Sequence, residues 1–599
     1  MSRLRNFACL LVLAAAVPAG AFADGSPAGF PICNVAGDQL APVSLPSFFP
    51  GMPGSRGALL FWQDLRGLPG DPGDLWRSYV SEPYLGDILP VDGVALVQRP
   101  GEQSQPAATQ VWSSWSGCQW CGNVALLVAY ADADGLSPNR VIRAIRLQDP
   151  EYSWDVPLSS PALDAFDPMA ISDRATAPPG ASGALVGWLE AGAGGATRLR
   201  AQHVAADGSP LWDIGGKAVV SDASGQESAR MIADGADGAY FAWVDRRHGD
   251  DLAVYAMRLA NDGSPADGWP GAGRLVRTSA ALPQSPSIAG DGAGGLLVLW
   301  HEFETLADES HGLQPRLARL LADGSLAPGW PAEGIRLLER DDAPLYVSDL
   351  QYDGAGGAYA ALIAVAPSGA RVFVQRLLVD GSRPAGWPAS GLEACTIAGN
   401  EGEPLLASED GMASVVWRDE RDGAGEADIY AARFRADGSR PGGWPAGGLA
   451  VGQGAGIQRS PVVATRSYGG IAIAWADGRD LGSTGWDIWG QTVNAAGRLD
   501  VSEGPPPGAL ALAFDGRQPT RGIARFRLGL ASPGRVTADV YDLAGRRLAR
   551  IEDGVLGAGW HTLEWSARGE VAGGAKPGVR FLRVRAESGV RTLRFVTLR

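Results

Sequence analysis

Lysine is almost absent from this chain: Lys217 and Lys576 are the only two, so arginine supplies nearly all of the 51 positive charges. Carboxylates outnumber these charges and leave a formal net charge of −15, which argues against a nucleic-acid-binding protein. Methionine is scarce, with six residues, and no glycine-rich phosphate loop follows a strand and opens a helix. Apolar runs long enough to span a bilayer are also missing, so no transmembrane segment is expected.

The first 23 residues have the features of a signal peptide. Arg3 and Arg5 precede a short apolar run at residues 7–17, and Ala21-Phe22-Ala23 fits the small-x-small cleavage pattern. The mature chain is therefore expected to begin at Asp24 and to act outside the cell or on its outer surface.

Four cysteines remain after the signal peptide is removed. Cys118 and Cys121 stand in a Gly-rich segment where other repeats have a hairpin turn, and a local disulfide is the interpretation we favour. A catalytic thiol pair would need a βαβ context, and a zinc site would need two more ligands nearby. Whether Cys33 pairs with Cys395 stays open.

One phrase recurs along the chain: Asp-Gly-Ser, then Gly-Trp-Pro, then a further Gly. Its four complete copies begin at Asp262, Asp323, Asp380 and Asp437, with spacings of 61, 57 and 57 residues. A fixed period of this size, built from turn residues between short apolar runs, is typical of a repeat architecture.

A second marker stands half a repeat earlier, where an apolar strand ends in Trp and is often followed by Asp and Arg. Its clear, weaker and degenerate copies end at Trp62, Trp243, Trp417, Trp475, Tyr130, Trp188, Trp300 and Val365. Each unit consists of four short strands joined by Gly-rich turns, which is the pattern of a propeller blade. We predict an all-β fold, with an eight-bladed β-propeller over residues 24–503 in repeats of about 57 residues. A seven-bladed ring with one irregular unit is the alternative.

The two ends of this region complement each other. The eighth unit stops after its third strand, near Gly497, and a segment that resembles the missing fourth strand stands at residues 29–37. A strand from one end that completes a blade begun at the other would leave no open sheet edge. We therefore predict that residues 29–37 close the ring.

The repeat ends at a stiff Pro/Gly linker, residues 504–508. Residues 509–599 show alternating runs that predict a small Ig-like β-sandwich of about seven strands. The segment contains the phrases Val-Tyr-Asp-Leu-Ala-Gly-Arg, Gly-Trp-His-Thr-Leu-Glu-Trp and Gly-Val-Arg-Phe, and a final run reaches Arg599.

These phrases resemble the immunoglobulin-like C-terminal domain of bacterial secreted proteins, of the flagellar-hook-capping type. They are also similar to the type A sorting domain of type IX secretion. The positions that carry the resemblance are Tyr541, Asp542, Gly545, Arg546, Gly559, His561, Trp565, Gly578 and Phe581. It implies a domain for export or surface attachment, with the secretion machinery as a partner. The sequence departs from the family at Arg580, where Tyr is usual, and at Gln518, where Asn is usual.

The tryptophans invite a carbohydrate-binding interpretation, but those at fixed repeat positions are expected to pack between blades. Trp112, Trp115 and Trp120 lie outside the register and are the better ligand candidates. Asp-x-Arg pairs such as Asp245 and Arg247 recur in several blades, whereas a catalytic constellation should be unique. We therefore interpret these pairs as turn caps.

Acidic loops at residues 132–135 and 248–251 could hold Ca²⁺, although neither matches a full calcium-loop pattern, and no other cofactor is expected. A sialidase would need aspartate boxes whose order differs from the turns of this chain. We expect a monomeric, non-enzymatic propeller that binds a surface polysaccharide or a protein. The alternative is a secreted polysaccharide-active hydrolase with a site at the propeller axis. Unique, converging carboxylates with perturbed pKa values would mark such a site.

Overall fold

A computed structural model of the chain divides it into two compact units, one of residues 27–505 and one that contains residues 506–599. The residues that it describes are 30–33, 38–48, 56–65, 73–80, 94–112, 124–134, 137–148, 151–173, 182–192, 195–221, 225–249, 251–423, 425–465, 469–482, 485–499, 510–515, 520–521, 523–530, 534–556, 559–566, 578–586 and 589–598. This part of the chain has no helix that is long and apolar enough to cross a bilayer.

The larger unit is built from short antiparallel strands. Those up to residue 278 are β1 (Phe30–Cys33), β2 (Gln39–Phe48), β3 (Arg56–Asp64), β4 (Asp74–Val80), β5 (Val94–Val97), β6 (Glu102–Trp112), β7 (Val124–Ala133), β8 (Val141–Gln148), β9 (Glu151–Pro157), β10 (Ala165–Ser172), β11 (Ala184–Ala191), β12 (Thr197–Val204), β13 (Lys217–Ala218), β14 (Gln226–Ala233), β15 (Ala239–His248), β16 (Asp251–Leu259) and β17 (Arg274–Thr278).

The remaining strands of this unit follow the same plan. They are β18 (Gln284–Gly290), β19 (Leu296–Thr305), β20 (His311–Leu320), β21 (Ile335–Arg336), β22 (Leu345–Tyr352), β23 (Ala358–Ala366), β24 (Gly369–Leu377), β25 (Leu392–Glu393), β26 (Glu401–Glu409), β27 (Met412–Asp419), β28 (Asp428–Phe434), β29 (Leu449–Gly452), β30 (Gln458–Thr465), β31 (Ile471–Asp477) and β32 (Asp487–Val493). Each group of four from β2 to β29 forms one sheet, and we call these sheets blades 1 to 7 in chain order. Blade 8 consists of β30, β31, β32 and β1.

The first strand of each blade lies innermost. It contacts the first strand of the next blade, and β30 of blade 8 contacts β2 of blade 1, so the sheets follow one another around a closed ring. The prediction of an all-β propeller is confirmed. At the seam, β1 pairs with β32, with Phe30 opposite Gly490 and Cys33 opposite Ile488. The outer strand of blade 8 therefore comes from the opposite end of this region.

In most blades the second strand is the most deeply buried. In β15 every residue from Ala239 to Asp245 is buried, and β31 is buried along its whole length. A strand whose sheet is covered on both faces needs a nearly continuous apolar run. This packing explains why runs such as Ile471–Asp477 precede the polar turns.

Every inner strand carries a register shift near its start, which is the mark of a β-bulge. In six blades the residue at the bulge has a positive φ, between 50° and 54°; these residues are Gln105, Asp167, Ser228, Ser285, Glu403 and Ser460. All six are exposed. Bulges re-aim side chains, and here they place six polar side chains around the axis, at the end where the inner strands begin.

The smaller unit contains β33 (Ala511–Asp515), β34 (Thr520–Arg521), β35 (Ile523–Leu530), β36 (Gly534–Asp542), β37 (Arg547–Leu556), β38 (Gly559–Ser566), β39 (Gly578–Ala586) and β40 (Gly589–Leu598). Its two sheets have the orders β33-β35-β38 and β34-β40-β39-β36-β37. Phe526 and Trp565 of the first sheet meet Phe595 of the second edge to face, inside one apolar core. Two sheets that enclose one core form a β-sandwich.

The Tyr-Asp phrase of this unit ends β36 in a tight turn. The Asp542 carboxylate accepts hydrogen bonds from the backbone N–H groups of Ala544 and Arg546, at 3.0 and 2.9 Å. Gly545 has a φ of 79°, which explains the need for glycine there. Arg546 also forms a 3.1 Å ion pair with Asp542. These four residues therefore shape a hairpin, whatever further role the domain has.

Candidate functional site

The tryptophans of the Gly-Trp-Pro turns hold neighbouring blades together. Each donates its indole N–H to a backbone carbonyl just before the equivalent turn of the next blade, which is an Asp-Gly-Ser turn in three of the four cases. Examples are Trp269 to Ala322 at 2.9 Å and Trp387 to Ala436 at 2.9 Å. These indoles are nearly buried, at 5% and 3% exposure, so they do not offer a face to a sugar ring.

The Trp-x-Asp-x-Arg phrase is a structural unit as well. Trp243 donates to the Asp245 carboxylate at 2.8 Å, and Arg247 binds the same carboxylate through two nitrogens. Burial alone would raise the pKa of Asp245, but the hydrogen bonds from Arg247 and Trp243 outweigh it and hold this pKa below its usual range. A carboxylate that is buried, ionised and fully bonded orients the strand end, and it has no lone pair to offer to a substrate.

Several residues predicted from the sequence do not enter a described site. Cys118, Cys121, Trp115 and Trp120 lie outside the described residues. Trp112 is the last residue of β6, and its side chain is not described.

Cys33 and Cys395 do not pair with each other. Both are buried thiols, and each lies beside the Trp-x-Asp carboxylate of the following blade, Asp64 or Asp419. The two thiols thus occupy equivalent positions on two different blades, and they form no disulfide with each other.

Blade 7 differs from other blades at one buried position. Glu401 lies directly opposite Asp419, where four other blades place a glutamine opposite the corresponding aspartate. Those glutamines are Gln39, Gln103, Gln226 and Gln458. Burial raises the pKa of Glu401 to about 7, although the Val372 N–H group and Arg371 pull it down.

Cys395, Glu401 and Asp419 also form a buried group whose ligand atoms lie within 4.8 Å of one another, a spacing that a metal ion would need. However, Arg421 reaches into this group. Its guanidinium lies 3.2 Å from the Cys395 sulfur and 2.5 Å from the Asp419 carboxylate. A cation is therefore already in place, and the group does not fit a metal centre.

Blade 2 departs from the repeated signature in a different way. Tyr130, near the end of β7, stands where most blades carry Trp, and Arg143 of β8 lies opposite it. In blades 4 and 7 the corresponding pairs are aromatic: Trp243 with Tyr255, and Trp417 with Tyr430. The exchange replaces a stacked aromatic pair with a polar one.

A compact network surrounds this exchange. Arg143 lies 2.9 Å from the Asp155 carboxylate and 3.7 Å from that of Asp132. Arg99 bridges the same two carboxylates at 3.3 Å each. The Tyr130 hydroxyl donates to Asp155 at 3.2 Å. Two arginines thus balance two carboxylates, as a poorly hydrated cluster requires.

The network shifts the proton affinity of its members. Burial raises the pKa of Asp132, which is 4% exposed, and this effect outweighs the opposing pull of Arg99 and of the Gln103 amide. Burial also raises the pKa of Tyr130, beside Asp155, so the phenol keeps its proton. A raised pKa favours the protonated form of a carboxyl, which is the form that a general acid needs.

Two cavities of about 490 Å³ each flank the network. The first lies between blades 1 and 2, and its polar lining includes Arg99 and Asp155. The second, which we call the blade 2–3 cavity, is lined by Arg99, Asp132, Asp134, Val141, Arg143, Pro157, Leu158, Ser159, Ser160, Pro161, Gln202, Pro210, Ile214 and Gly215. It combines apolar walls with a few converging polar groups, which is the usual make-up of a ligand site.

The two acidic residues of loop 132–135 differ sharply in environment. Asp132 faces arginines and the Gln103 amide, which donates to it at 3.2 Å. Asp134 is exposed and accepts a hydrogen bond from the Ser137 N–H group at 2.9 Å. The arginines around Asp132 do not suit a calcium loop, in which oxygen atoms alone surround the ion. The second loop is also engaged, since His248 lies 3.0 Å from the Tyr255 hydroxyl.

At the propeller axis, the described carboxylates bind the strand next to their own. Glu403 accepts from the Ser460 N–H group at 2.5 Å, and Asp349 accepts from the Leu406 N–H group at 2.8 Å. Asp167 accepts from the Gln105 amide at 3.2 Å. The innermost strands expose one unpaired edge to the channel, and these side chains satisfy part of it.

No family model and no curated protein match this chain. Among solved structures it is similar to a puromycin hydrolase, at 14% identity and a TM-score of 0.36, over 72% of this chain and 59% of that one. It is also similar to an α-L-arabinanase from Penicillium chrysogenum, at 13% identity and a TM-score of 0.32, over 68% of this chain and 99% of that one. An α-L-arabinofuranosidase from Fusarium graminearum matches at 11% identity and a TM-score of 0.29, over 55% and 93%.

The expectation of a non-enzymatic chain is wrong on this comparison, because the matched structures are named as hydrolases. The match spans about three fifths of the length of the puromycin hydrolase. At such low identity the likeness concerns the fold alone. Any catalytic residues therefore have to be derived from the geometry of this chain.

Proposed function

We propose that the propeller hydrolyses glycosidic bonds of a polysaccharide and that the reaction takes place in the blade 2–3 cavity. One observation carries the proposal: Asp132, whose burial raises its pKa, lines this cavity together with the exposed carboxylate of Asp134. Hydrolysis of a glycosidic bond generally uses two carboxyl groups with opposite protonation states. Because the carboxylates described at the axis bind the neighbouring inner strand, we place the reaction in this cavity and not at the axis.

In the proposed reaction, Asp132 is the general acid and Asp134 the general base. Asp134 takes a proton from a water molecule, whose oxygen attacks the anomeric carbon as the bond to the leaving oxygen breaks. Asp132 gives its proton to that leaving oxygen, so one water is added and two sugar hydroxyls result. Arg99 and Arg143 hold the Asp132 carboxyl in place.

The test is release of reducing ends from a panel of arabinans, galactans, xylans and pectins by the full-length protein. The wild type is expected to cleave at least one member of the panel, and Asp134→Asn is expected to lower kcat at least a hundredfold. Asp437→Asn, which changes an exposed turn carboxylate in another blade, is the matched control and should retain full activity. Equal rates for wild type and Asp134→Asn would refute the proposed base.

We further propose that the chain is exported through its signal peptide and that the C-terminal sandwich serves as a sorting or attachment domain. The support is the motif that begins at Tyr541, which forms a well-built hairpin in an independent unit. Mass spectrometry of both termini of the protein from native cells tests this proposal. A surface or secreted chain that begins at Asp24 supports export, whereas an intracellular chain that retains residues 1–23 overturns it. Loss of the residues after about 508 would identify a cleaved signal, and an intact Arg599 would identify a retained module.

A further inference from the structure

Arg230 stands on the innermost strand of blade 4, two residues after the bulge at Ser228. Its neighbour Met231 packs toward blade 3, where the Met231 sulfur would lie 3.2 Å from a Cβ placed on Gly187. Since successive side chains of a strand point to opposite faces, Arg230 lies on the face away from Met231, on the innermost strand, which borders the channel. It is exposed there.

Arg230 differs from most other arginines of blade 4 in its charge partners. Arg247 and Arg258 form ion pairs with Asp245 and Asp234, at 2.6 and 2.8 Å. Arg230 has no carboxylate within 4 Å among the residues that the structure describes, and its guanidinium donates at 2.9 Å to the carbonyl of Ala229 on the same strand. Among the described residues, Arg230 is thus a cation at the axis without an ion pair, although the net charge of the chain is −15.

The surroundings of Arg230 make an anion a favourable ligand. Protein atoms crowd around the guanidinium although the channel is open, and this burial lowers its pKa, with Asp167 of blade 3 opposing the shift. A poorly hydrated charge gains more from a counter-ion than one in bulk water does. Ser228 and Ser285, at equivalent bulges of adjacent inner strands, are exposed and add hydroxyl donors.

We propose that Arg230, Ser228 and Ser285 form a binding site for an oxyanion, a carboxylate or sulfate group that enters the central channel. A guanidinium binds both groups through two parallel hydrogen bonds. The group can belong to a free inorganic ion or to an acidic saccharide. The site is separate from the blade 2–3 cavity and does not depend on hydrolysis there.

The test measures binding to the full-length protein by isothermal titration at constant ionic strength. The probes are sodium sulfate, an oligogalacturonate and an uncharged arabino-oligosaccharide. We expect the acidic probes to bind and Arg230→Gln to weaken that binding at least tenfold, with Arg230→Lys in between. Arg198→Gln, which removes an exposed arginine of β12, is the matched control and should bind as the wild type does.

The outcomes separate the two sources of the anion. If the oligogalacturonate binds much more tightly than sulfate, the ligand is an acidic saccharide; if the two bind alike, the site takes the free ion. Binding of the acidic probes that is the same in Arg230→Gln as in the wild type would overturn the proposal, and so would equal binding of the uncharged probe. Because no turnover is measured, a negative result here leaves the hydrolase proposal untouched.

Discussion

Replacing Glu401 with glutamine is expected to stabilise the propeller, most strongly at alkaline pH. Glu401 is 2% exposed and lies opposite Asp419. Its Oε2 atom accepts a hydrogen bond from the Val372 N–H group at 2.6 Å, whereas its Oε1 atom has no hydrogen-bond donor. In blade 4, Gln226 likewise accepts from Leu199 through its amide oxygen, at 3.1 Å, and has an NH₂ group at the other end. A protonated carboxyl, like that amide, has an acceptor oxygen at one end and a hydrogen-bond donor at the other, whereas an ionised carboxylate has no donor.

The magnitude follows from the shift in proton affinity. Burial raises the pKa of Glu401 from its ordinary 4.5 to about 7. Between pH 4.5 and about pH 7, the folded state therefore keeps a proton on Glu401 that the unfolded state has lost. The free energy of unfolding falls as the pH rises through this range. Each pKa unit corresponds to about 1.4 kcal/mol, so ionisation of Glu401 costs about 3 kcal/mol above pH 7. Glu401→Gln should recover this amount at pH 8.5 and almost none of it at pH 4.5.

The assay is the midpoint of thermal unfolding, measured from pH 4.5 to pH 9. For a unit of about 480 residues the entropy of unfolding is about 1 kcal/mol/K, so 3 kcal/mol corresponds to a rise of about 3 °C. Gln458→Glu places a carboxyl opposite Asp477 in blade 8 and is the matched control with the opposite sign. A difference between Glu401→Gln and wild type that stays constant with pH would show that Glu401 is already ionised in the fold, which would refute the reasoning.

Two further predictions concern the packing between blades. Trp269→Phe removes the hydrogen bond to Ala322 and part of a buried ring, so it should lower the free energy of unfolding by about 1–3 kcal/mol in a denaturant titration. The control is Leu211→Ala, at a side chain that is 54% exposed, which should change this free energy by less than about 0.5 kcal/mol. Gly292→Ala would put a Cβ 2.1 Å from the Tyr352 hydroxyl oxygen, at a residue with a φ of 70°, so the free energy of unfolding should fall by about 1–3 kcal/mol. The control is the neighbouring Gly290→Ala, whose Cβ meets no atom within 4 Å.

The sequence predicts the repeat well because turn residues carry the information. Asp-Gly-Ser turns such as that at Asp262 close by hydrogen bonds from Ser264 to the aspartate, at 2.8 and 2.6 Å. These contacts are local, so the motif alone implies them. The Trp-x-Asp-x-Arg phrase is likewise local, because its partners lie two residues apart.

The candidate site was harder to predict because its members come from four strands or their connections. Arg99, Asp132, Arg143 and Asp155 are brought together by the pairing within blade 2 and by its contact with blade 1. The available signal is the weak copy of the Trp marker that ends at Tyr130, because a departure from the repeated residue indicates that blade 2 packs differently from most blades at this position. From the sequence alone, the nearby loop at residues 132–135 is a candidate for calcium only.

The exchange at Glu401 has a clearer signal in the sequence. Gln39, Gln103 and Gln458 each stand three residues before a proline at the start of an inner strand, and Glu401 stands three residues before Pro404. Aligning the repeats on this proline would have shown one carboxyl among the amides. What that carboxyl faces could not be read from the chain, because the position of Asp419 across the strand pair depends on register.

The most direct test of the central claim is a crystal structure of Asp134→Asn with an oligosaccharide from the polysaccharide that the wild type cleaves. We expect the sugar in the blade 2–3 cavity, with the glycosidic oxygen within hydrogen-bond distance of Asp132 and the anomeric carbon facing residue 134. An oligosaccharide bound at the axis or on another blade, with the cavity empty, would contradict it.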